Sequence, residues 1–330
     1  MLNQDQKLNQ NLFEEDVEKV PLRQGYGDGL LEAGKENENI VALCADLTGS
    51  TKTNIFADEF PERFVQVGIG EQSMASVAAG MAAMGKIPFI ASYAMFSPGR
   101  NWEQIRTTIC YNNSNVKIAG CHAGVSVGPD GGTHQAIEDI AIIRVIPRMT
   151  VVVPCDSIEA KKATIAGLKM TGPFYIRLAR EGTPVITTED TPFEIGKAQV
   201  FWSPDGNPDV SVIACGSLVY NAILAAKKAE EDGIKVEVVN NHTIKPMDEK
   251  VITESAKRAG AVVTVEEHQA MGGMGSAVAE VLAKNNPVPI EFVGVNDRFG
   301  ESGEPEELIE KFGLGADSIL EAIKKVKERK

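Results

Sequence analysis

The sequence predicts an α/β protein made of two three-layer α/β/α domains, each with a mainly parallel sheet. Short runs that are apolar throughout recur along the chain, and most are followed by a stretch with helical periodicity. Strands that are apolar on both faces are typical of a parallel sheet covered by helices on both sides. The length of 330 residues is sufficient for two such domains.

The elements can be assigned in chain order. We expect 1–20, which is polar, to form a mobile or docking arm. A composition rich in Thr, Glu, Asp, Pro and Gly marks 185–207 as a boundary, so we predict a first domain at 21–190 and a second at 191–330. Strands are expected at 40–45, 64–67, 87–91, 116–120, 150–153, 174–178, 210–214, 236–239, 261–265 and 290–293, and helices near 71–85, 98–111, 135–145, 156–170, 217–232, 248–258 and 274–284.

Composition excludes several classes of partner. A net charge of −13 argues against nucleic acid or an anionic membrane surface as the main partner. The five cysteines are scattered and form no C-x-x-C or Cys/His spacing, which favours reduced thiols in a cytoplasmic protein without a metal site of its own. No apolar run reaches the roughly 18 residues that a membrane span needs.

Polar segments follow four of the first-domain strands, at the edge where open α/β sheets bind ligands. Glu71 lies in one of them, at a strand–Gly-x-Gly–helix junction, and is the only ionisable residue between Arg63 and Lys86. It is either a charge that offsets the helix macrodipole or a working acid. The other three segments are 45–50, 92–100 and 121–135.

The segment 121–135 is the most distinctive, because it contains two of the four histidines, His122 and His134, together with Asp130 and four glycines. Each histidine alone is as compatible with a structural hydrogen bond as with a site, and their co-occurrence favours a site. Tyr93 and Phe96, in the preceding segment, are either core residues or a stacking platform for a flat heterocycle.

Together these motifs resemble the transketolase family. Gly-Ile-Gly-Glu-Gln-Ser-Met (68–74), Ala-Ser-Tyr-Ala-Met-Phe (91–96), His-x7-Asp-Gly-Gly-Thr-His-Gln (122–135) and Pro-Cys-Asp (154–156) are similar to its pyrimidine-binding domain. The second domain resembles the transketolase C-terminal domain, including Val-Glu-Glu-His at 265–268. The resemblance covers roughly 20–325, which is nearly the whole chain.

The resemblance implies a cofactor, thiamine diphosphate, and a role for each matching residue. Glu71 would donate a proton to the aminopyrimidine ring; its apolar neighbours favour the protonated carboxyl, and the helix N-terminus opposes it. Tyr93 and Phe96 would pack against the pyrimidine, with Asp46 beside the cofactor. His134 and Asp130 would bind the hydroxyls of a ketose donor. The set that would hold the sugar phosphate is Arg23, Ser50, His122 and Arg180, with Arg177 as a competitor for Arg180.

A full-length transketolase also carries an N-terminal domain that binds Mg²⁺ and the diphosphate through a Gly-Asp-Gly…Asn motif. Gly27-Asp28-Gly29 and Asn54 imitate this motif, but no buried strand precedes them, so we interpret them as a helix-start coincidence. The resemblance therefore implies the C-terminal half of a split transketolase of the pentose phosphate pathway. Mg²⁺ or Ca²⁺ would be on a separate diphosphate-binding subunit, and two copies of each chain would form a heterotetramer.

Other functions remain open at this stage. The same two domains occur in 1-deoxyxylulose-phosphate synthase and in the beta subunit of 2-oxo acid dehydrogenases. A different class is a non-catalytic nucleotide-binding module, because Gly273-Met274-Gly275 approximates a dinucleotide fingerprint. That fingerprint lacks its third glycine, and a turn that packs a helix against its sheet is the structural alternative.

Overall fold

The computed structural model describes all 330 residues, which form fourteen strands and eleven α-helices. The strands are β1 (Lys19–Pro21), β2 (Ile40–Cys44), β3 (Phe64–Gln66), β4 (Ile87–Tyr93), β5 (Lys117–Cys121), β6 (Thr150–Val152), β7 (Phe174–Leu178), β8 (Gly182–Pro184), β9 (Gln199–Trp202), β10 (Val210–Ala214), β11 (Val236–Asn240), β12 (Thr243–Lys245), β13 (Val262–Gln269) and β14 (Ile290–Val295). The helices are α1 (Leu22–Glu36), α2 (Asn54–Glu59), α3 (Glu71–Ala83), α4 (Trp102–Gln104), α5 (Asp139–Arg144), α6 (Ser157–Lys169), α7 (Val219–Glu231), α8 (Glu249–Ala259), α9 (Met274–Asn285), α10 (Pro305–Lys311) and α11 (Ala316–Glu328).

Two large sheets form the frame of the molecule. The first has seven strands in the order β12-β6-β7-β5-β4-β2-β3, and only the pair β12–β6 is antiparallel. The second has five strands in the order β14-β13-β10-β11-β9, and only β9 is antiparallel. Helices cover these sheets, as the continuously apolar strands require. The predicted fold class, two α/β domains with mainly parallel sheets, is confirmed.

The two halves of the chain share structure across the predicted boundary. Strand β12 belongs to the second half of the sequence but extends the first sheet, where Thr243 lies opposite Val152. One apolar cluster contains residues of both halves, including Ile140 and Ile146 from the first and Ile252 and Met274 from the second. Since the burial of this apolar surface stabilises both sheets at once, neither half has a complete core without the other.

The N-terminal segment 1–18 is docked, which is the second of the two alternatives predicted for it. Leu2, Leu8 and Leu12 are buried in the core of the second half, and the ring of Phe13 meets Trp202 edge-to-face at 6.1 Å. The amide of Asn3 donates to the Phe201 carbonyl at 2.9 Å. Leucines spaced along a polar segment therefore anchor the arm.

Close packing explains the Gly-Asp-Gly sequence near the start of α1. The three residues lie inside this helix, in its second turn, and not at its start as predicted. A Cβ on Gly29 would lie 2.8 Å from the Lys161 carbonyl of α6. The glycines permit two helices to approach each other, so this sequence has a packing role. No helix of the molecule combines the length and apolar character needed to cross a lipid bilayer.

Candidate active site

The carboxyl ends of five adjacent strands, β7, β5, β4, β2 and β3, lie along one edge of the first sheet. Their register is parallel and aligned: Tyr93 lies beside Cys121, and Cys121 lies beside Leu178. The segments that follow these strands therefore converge. All ten candidate site residues lie at this edge or are linked to it: Arg23, Asp46, Ser50, Glu71, Tyr93, Phe96, His122, Asp130, His134 and Arg180.

Glu71 is the first residue of α3 and is only 1% exposed. The hydroxyl of Ser92 donates to its Oε1 at 3.2 Å, and the Arg100 guanidinium donates to its Oε2 at 2.7 Å. The side-chain amide of Asn101 donates to the Glu71 main-chain carbonyl at 3.1 Å. A strand-end hydroxyl, a cation and an amide thus fix the acid at the edge of the sheet.

The contact with Arg100 was not anticipated from the sequence. Its side chain is 45% exposed and lies over the ring of Phe96, with the guanidinium carbon 4.6 Å from the ring centroid. The Arg100 guanidinium therefore occupies one of the two carboxylate oxygens of Glu71. Because the guanidinium is half exposed and the carboxylate is buried, Arg100 can move toward solvent when another partner takes its place at Glu71.

Four rings lie beside the acid. Tyr93 stacks on His122, with ring centroids 3.8 Å apart, and lies nearly parallel to Phe96 at 6.1 Å. His134 meets Tyr93 and Phe96 edge-on at 6.2 and 5.5 Å, and its Nδ1 lies 2.9 Å from the Thr133 hydroxyl. Flat apolar faces next to a carboxyl group suit the stacking and hydrogen bonding of an aromatic heterocycle.

A group of cations surrounds His122. Burial, together with the nearby charges of Arg23, Arg180 and His134, lowers the pKa of His122 to about 3. The imidazole is therefore neutral at physiological pH. Its Nδ1 has no hydrogen-bond partner, and neither has the buried Nε of Arg23. Unpaired buried polar atoms beside two guanidinium groups are suited to an oxyanion ligand.

The remaining predicted residues flank this group. Arg23 donates to the main-chain carbonyl of Ser50 at 2.7 Å, which links α1 to the segment after β2. Asp46 lies two residues after the end of β2 with φ of 59°, and both its side chain and that of Asp130 are exposed. His122 also has a positive φ, 54°. Such backbone strain in non-glycine residues is concentrated at functional sites.

The structure distinguishes the two arginines that follow β7. Arg177 is buried, contacts Asp139 at 2.9 Å, and donates to the main-chain carbonyls of Ala136 and Glu267. Arg180 is partly exposed, and its Nη1 donates to the Val127 carbonyl at 3.1 Å and to the Glu181 carboxylate at 2.5 Å. The Nε and Nη2 of Arg177 are therefore occupied within the protein, whereas those of Arg180 can face a ligand.

The glycine motif at 273–275 has a structural explanation. The carboxylate of Glu266 accepts hydrogen bonds from the main-chain amides of Met274 and Gly275, at 2.7 and 2.8 Å. These amides begin α9, where a dinucleotide phosphate would bind. A carboxylate of the chain itself occupies this position. No group of three or more His, Cys, Asp or Glu side chains has the arrangement of a metal site.

Two kinds of residue were missed by sequence reasoning. Arg100 carries a weak signal, a lone cation in a segment already marked as part of the site. Glu267 is part of the Val-Glu-Glu-His motif of the second half, but nothing in the sequence links it to the site: its Oε1 accepts from the Ser126 amide at 2.6 Å. Only the folded chain brings Ser126 and Glu267, which are 141 positions apart, together.

Comparison with known proteins is consistent along the chain. The family model described as "Transketolase, pyrimidine binding domain" matches residues 18–185, and "Transketolase, C-terminal domain" matches 196–319. A putative transketolase C-terminal section from Methanocaldococcus jannaschii is 46% identical, with 92% of this chain and 95% of that protein covered. A 6-deoxy-6-sulfo-D-fructose transketolase subunit from Clostridium sp. is 44% identical, with 96% and 98% covered. A solved structure described as a split gene transketolase, inactive beta4 tetramer, has a TM-score of 0.87 at 46% identity and covers 94% of this chain and 99% of its own.

Proposed function

The chain belongs to the transketolase family, and from this membership we propose that it is the pyrimidine-binding subunit of a two-chain transketolase. The enzyme transfers a two-carbon ketol unit between ketose and aldose phosphates, the reaction type of the pentose phosphate pathway. The observation that carries this proposal is the convergence of a buried acid, Glu71, two aromatic faces and a cationic group at one edge of the sheet.

The residues present fit the pyrimidine end of thiamine diphosphate. When bound, this cofactor acts as an electron sink for cleavage of a carbon–carbon bond next to a carbonyl. Glu71 holds the proton that the ring nitrogen receives, and burial in the crevice keeps water away from it. For its Oε2 to face the ring, Arg100 must move away. Tyr93 and Phe96 offer the faces against which the ring packs, and Asp46 lies at the rim.

The sugar phosphate is bound by the other half of the site. Asp130 and His134 offer an acceptor and a ring nitrogen for the hydroxyls of the ketose. Arg23, His122 and Arg180 surround the phosphate, with Ser50 at the same rim. Arginine suits this task because its fork of donors matches two phosphate oxygens at once.

A second chain completes the enzyme in this proposal. The diphosphate and its cation, Mg²⁺ or Ca²⁺, belong to the partner, because a hard cation needs its own oxygen ligands. The two family models that match here describe only the pyrimidine-binding and C-terminal domains. By analogy with the relative described as an inactive beta4 tetramer, this chain alone is inactive. The active assembly is two copies of each chain.

The anionic group of the donor has a second candidate, sulfonate. The relative from Clostridium is named for a sulfosugar and is similar over the whole chain. Both groups offer three oxygens to the arginines, but phosphate carries the larger negative charge near neutral pH. Two cations around a neutral His122 favour phosphate, which is why it is the first choice.

The test combines this chain with a partner that carries the diphosphate domain, thiamine diphosphate and Mg²⁺. We expect ketol transfer from a ketose phosphate to an aldose phosphate, with less from the matched 6-sulfo sugar, and no turnover by this chain alone. Turnover of pyruvate without sugar exchange would instead identify a 1-deoxyxylulose-phosphate synthase or a 2-oxo acid dehydrogenase subunit. Binding of NADH without thiamine diphosphate would point to a nucleotide-binding module.

A further inference from the structure

The segment 122–135, which connects β5 to α5, carries Asp130 and His134 on an irregular backbone. Gly124, Gly128 and Gly131 have positive φ angles of 93°, 79° and 73°. Short 3-10 turns over Val125–Asp130 and main-chain bonds such as that from the His134 amide to the Gly131 carbonyl, at 2.9 Å, hold parts of this path. Contacts from outside the segment fix how it lies against the rest of the protein.

The second half of the chain supplies one of these contacts through Glu267. Its side chain is buried, with the residue only 3% exposed, and its Oε1 accepts from the Ser126 amide at 2.6 Å. Its Oε2 accepts from the Ser217 hydroxyl at 3.1 Å. A Cβ on Gly124 would lie 2.3 Å from the Glu267 carboxyl, so the backbone presses directly against this group.

The other end of the segment is fixed in the same way. Gln135 is 1% exposed, and its amide nitrogen donates to the carbonyls of Val125 and Gly128, and to that of Glu301 in the second half at 2.9 Å. Glycines allow close approach between these contacts: a Cβ on Gly132 would lie 2.6 Å from the Gly300 carbonyl. Both ends of 122–135 are thus attached to the second half of the chain.

Burying the carboxylate of Glu267 costs free energy of folding. Burial raises the pKa of Glu267, which means that the charged form is disfavoured, and Arg177 only partly offsets this. A buried charge is retained when its hydrogen bonds fix a geometry that apolar packing would leave loose. The geometry fixed here is that of the backbone four residues before Asp130.

From these contacts we infer that Glu267 is a positioning residue for the donor sugar: its carboxylate holds the Ser126 amide and thereby places Asp130 and His134. This rests on the proposed function, because the donor is the ligand that those two side chains bind. The second half of the chain then sets how the sugar is held, while the cofactor side of the site depends on Glu71 and the first half. A misplacement of about 1 Å in such a segment can cost on the order of a hundredfold in rate.

The test compares two buried acids that are adjacent in β13. Glu267→Ala breaks the contact with Ser126, whereas Glu266→Ala removes an equally buried carboxylate whose hydrogen bonds come from two amides of α9, with His268 also 3.8 Å away. With the two-chain enzyme, we expect Glu267→Ala to raise the KM of the ketose donor about tenfold or more while the affinity for thiamine diphosphate changes less than about twofold. Glu266→Ala should leave the donor KM unchanged despite a similar loss of melting temperature.

Two conservative variants keep the test decisive. In Glu267→Gln the amide oxygen can still accept from Ser126, so the donor KM should return to near the wild-type value. Glu267→Asp, which is one methylene shorter, serves if the alanine variant does not fold, and should raise the donor KM. A rise in donor KM that is matched by Glu266→Ala, or by an equal loss of cofactor affinity, would overturn the inference and leave Glu267 a structural residue.

Hydrogen exchange on this chain alone separates the inference from the proposed function. Amides in 122–135 should exchange faster in Glu267→Ala than in Glu266→Ala or the wild type. Unchanged exchange in this segment overturns the inference whatever the enzyme does. If exchange is faster in Glu267→Ala while the wild-type chain transfers no ketol unit with its partner, the positioning contact is supported and only the proposed function is overturned.

Discussion

Two strand-to-helix junctions of this molecule have similar local structure but differ in the groups that bind their glutamate. Each places a buried glutamate by a glycine-containing turn and the N-terminus of a helix, Glu71 at α3 and Glu266 at α9. The carboxylate of Glu266 is bound by two main-chain amides of its helix. The carboxylate of Glu71 is bound by two side chains, Ser92 and the half-exposed Arg100, and the neighbouring Ile69 is 77% exposed.

The difference shows how to tell a structural acid from one that is available to a ligand. Main-chain amides cannot move away without unfolding the helix, so Glu266 has no oxygen free for a ligand. A mobile side chain can leave, so Glu71 can exchange Arg100 for another partner. Burial alone does not separate the two, because both residues are nearly inaccessible.

The largest expected effect is on catalysis and concerns only the first junction. Glu71→Gln should lower turnover of the two-chain enzyme about 10²- to 10⁴-fold, because an amide cannot transfer the proton. Glu266→Gln should retain turnover. Steady-state kinetics, with the melting temperature as a check on folding, measure both variants. Similar losses in the two variants would mean that the junctions do not differ in function.

The next effect is a pH dependence of stability that belongs to the second junction. Burial raises the pKa of Glu266 from 4.5 to about 7, so the folded state keeps a proton that the unfolded state loses. The contribution of this proton to the free energy of unfolding is complete below about pH 4.5 and is lost progressively between about pH 4.5 and 7. The total loss is roughly 3 kcal/mol. The free energy of unfolding, measured with denaturant between pH 4.5 and 7, should therefore change less with pH in Glu266→Gln than in the wild type.

A smaller effect comes from packing at the second turn. A Cβ on Gly275 would lie 2.5 Å from the Thr264 hydroxyl oxygen and 2.9 Å from the Phe292 ring. Gly275→Ala should therefore lower the free energy of unfolding by about 1–3 kcal/mol, as overpacking does. Chemical denaturation of this chain provides the measurement, and a loss below that range would show that the turn can relax.

The smallest effect is expected at the matching glycine of the first turn. The atom nearest to a Cβ on Gly70 is the Val67 carbonyl oxygen, at 3.4 Å, which is ordinary contact. Gly70→Ala should change the unfolding free energy by less than about 1 kcal/mol. A larger loss in the same denaturation experiment would mean that the first turn is packed as tightly as the second.

Local patterns were sufficient to predict most of the frame. Phe174–Leu178 and Val210–Ala214 are strands with the predicted bounds, because a continuously apolar run between turn residues has few alternatives in an α/β protein. The convergence of four polar segments also followed from sequence alone, since parallel strands bring their carboxyl ends to one edge. The family motifs then assigned a role to each residue.

Contacts between distant parts of the chain could not be predicted. Strand β12 has only three residues and no periodicity, and β9 pairs as an antiparallel edge strand within the predicted boundary. The pairing of Arg100 with Glu71 depends on how the chain turns after β4. The attachment of Ser126 to Glu267 depends on the packing of the two halves, for which spacing gives no signal.

The crossing of β12 into the first sheet has a consequence for biosynthesis. Strand β6 leaves the ribosome about 90 residues before the strand that covers its edge. At roughly 5–20 residues per second, that edge stays uncovered for roughly 5–18 s in every nascent chain. Unpaired strand edges invite association with other chains. Slow codons between these two strands would lengthen this interval, and fragments that stop before Thr243 would keep the edge open permanently.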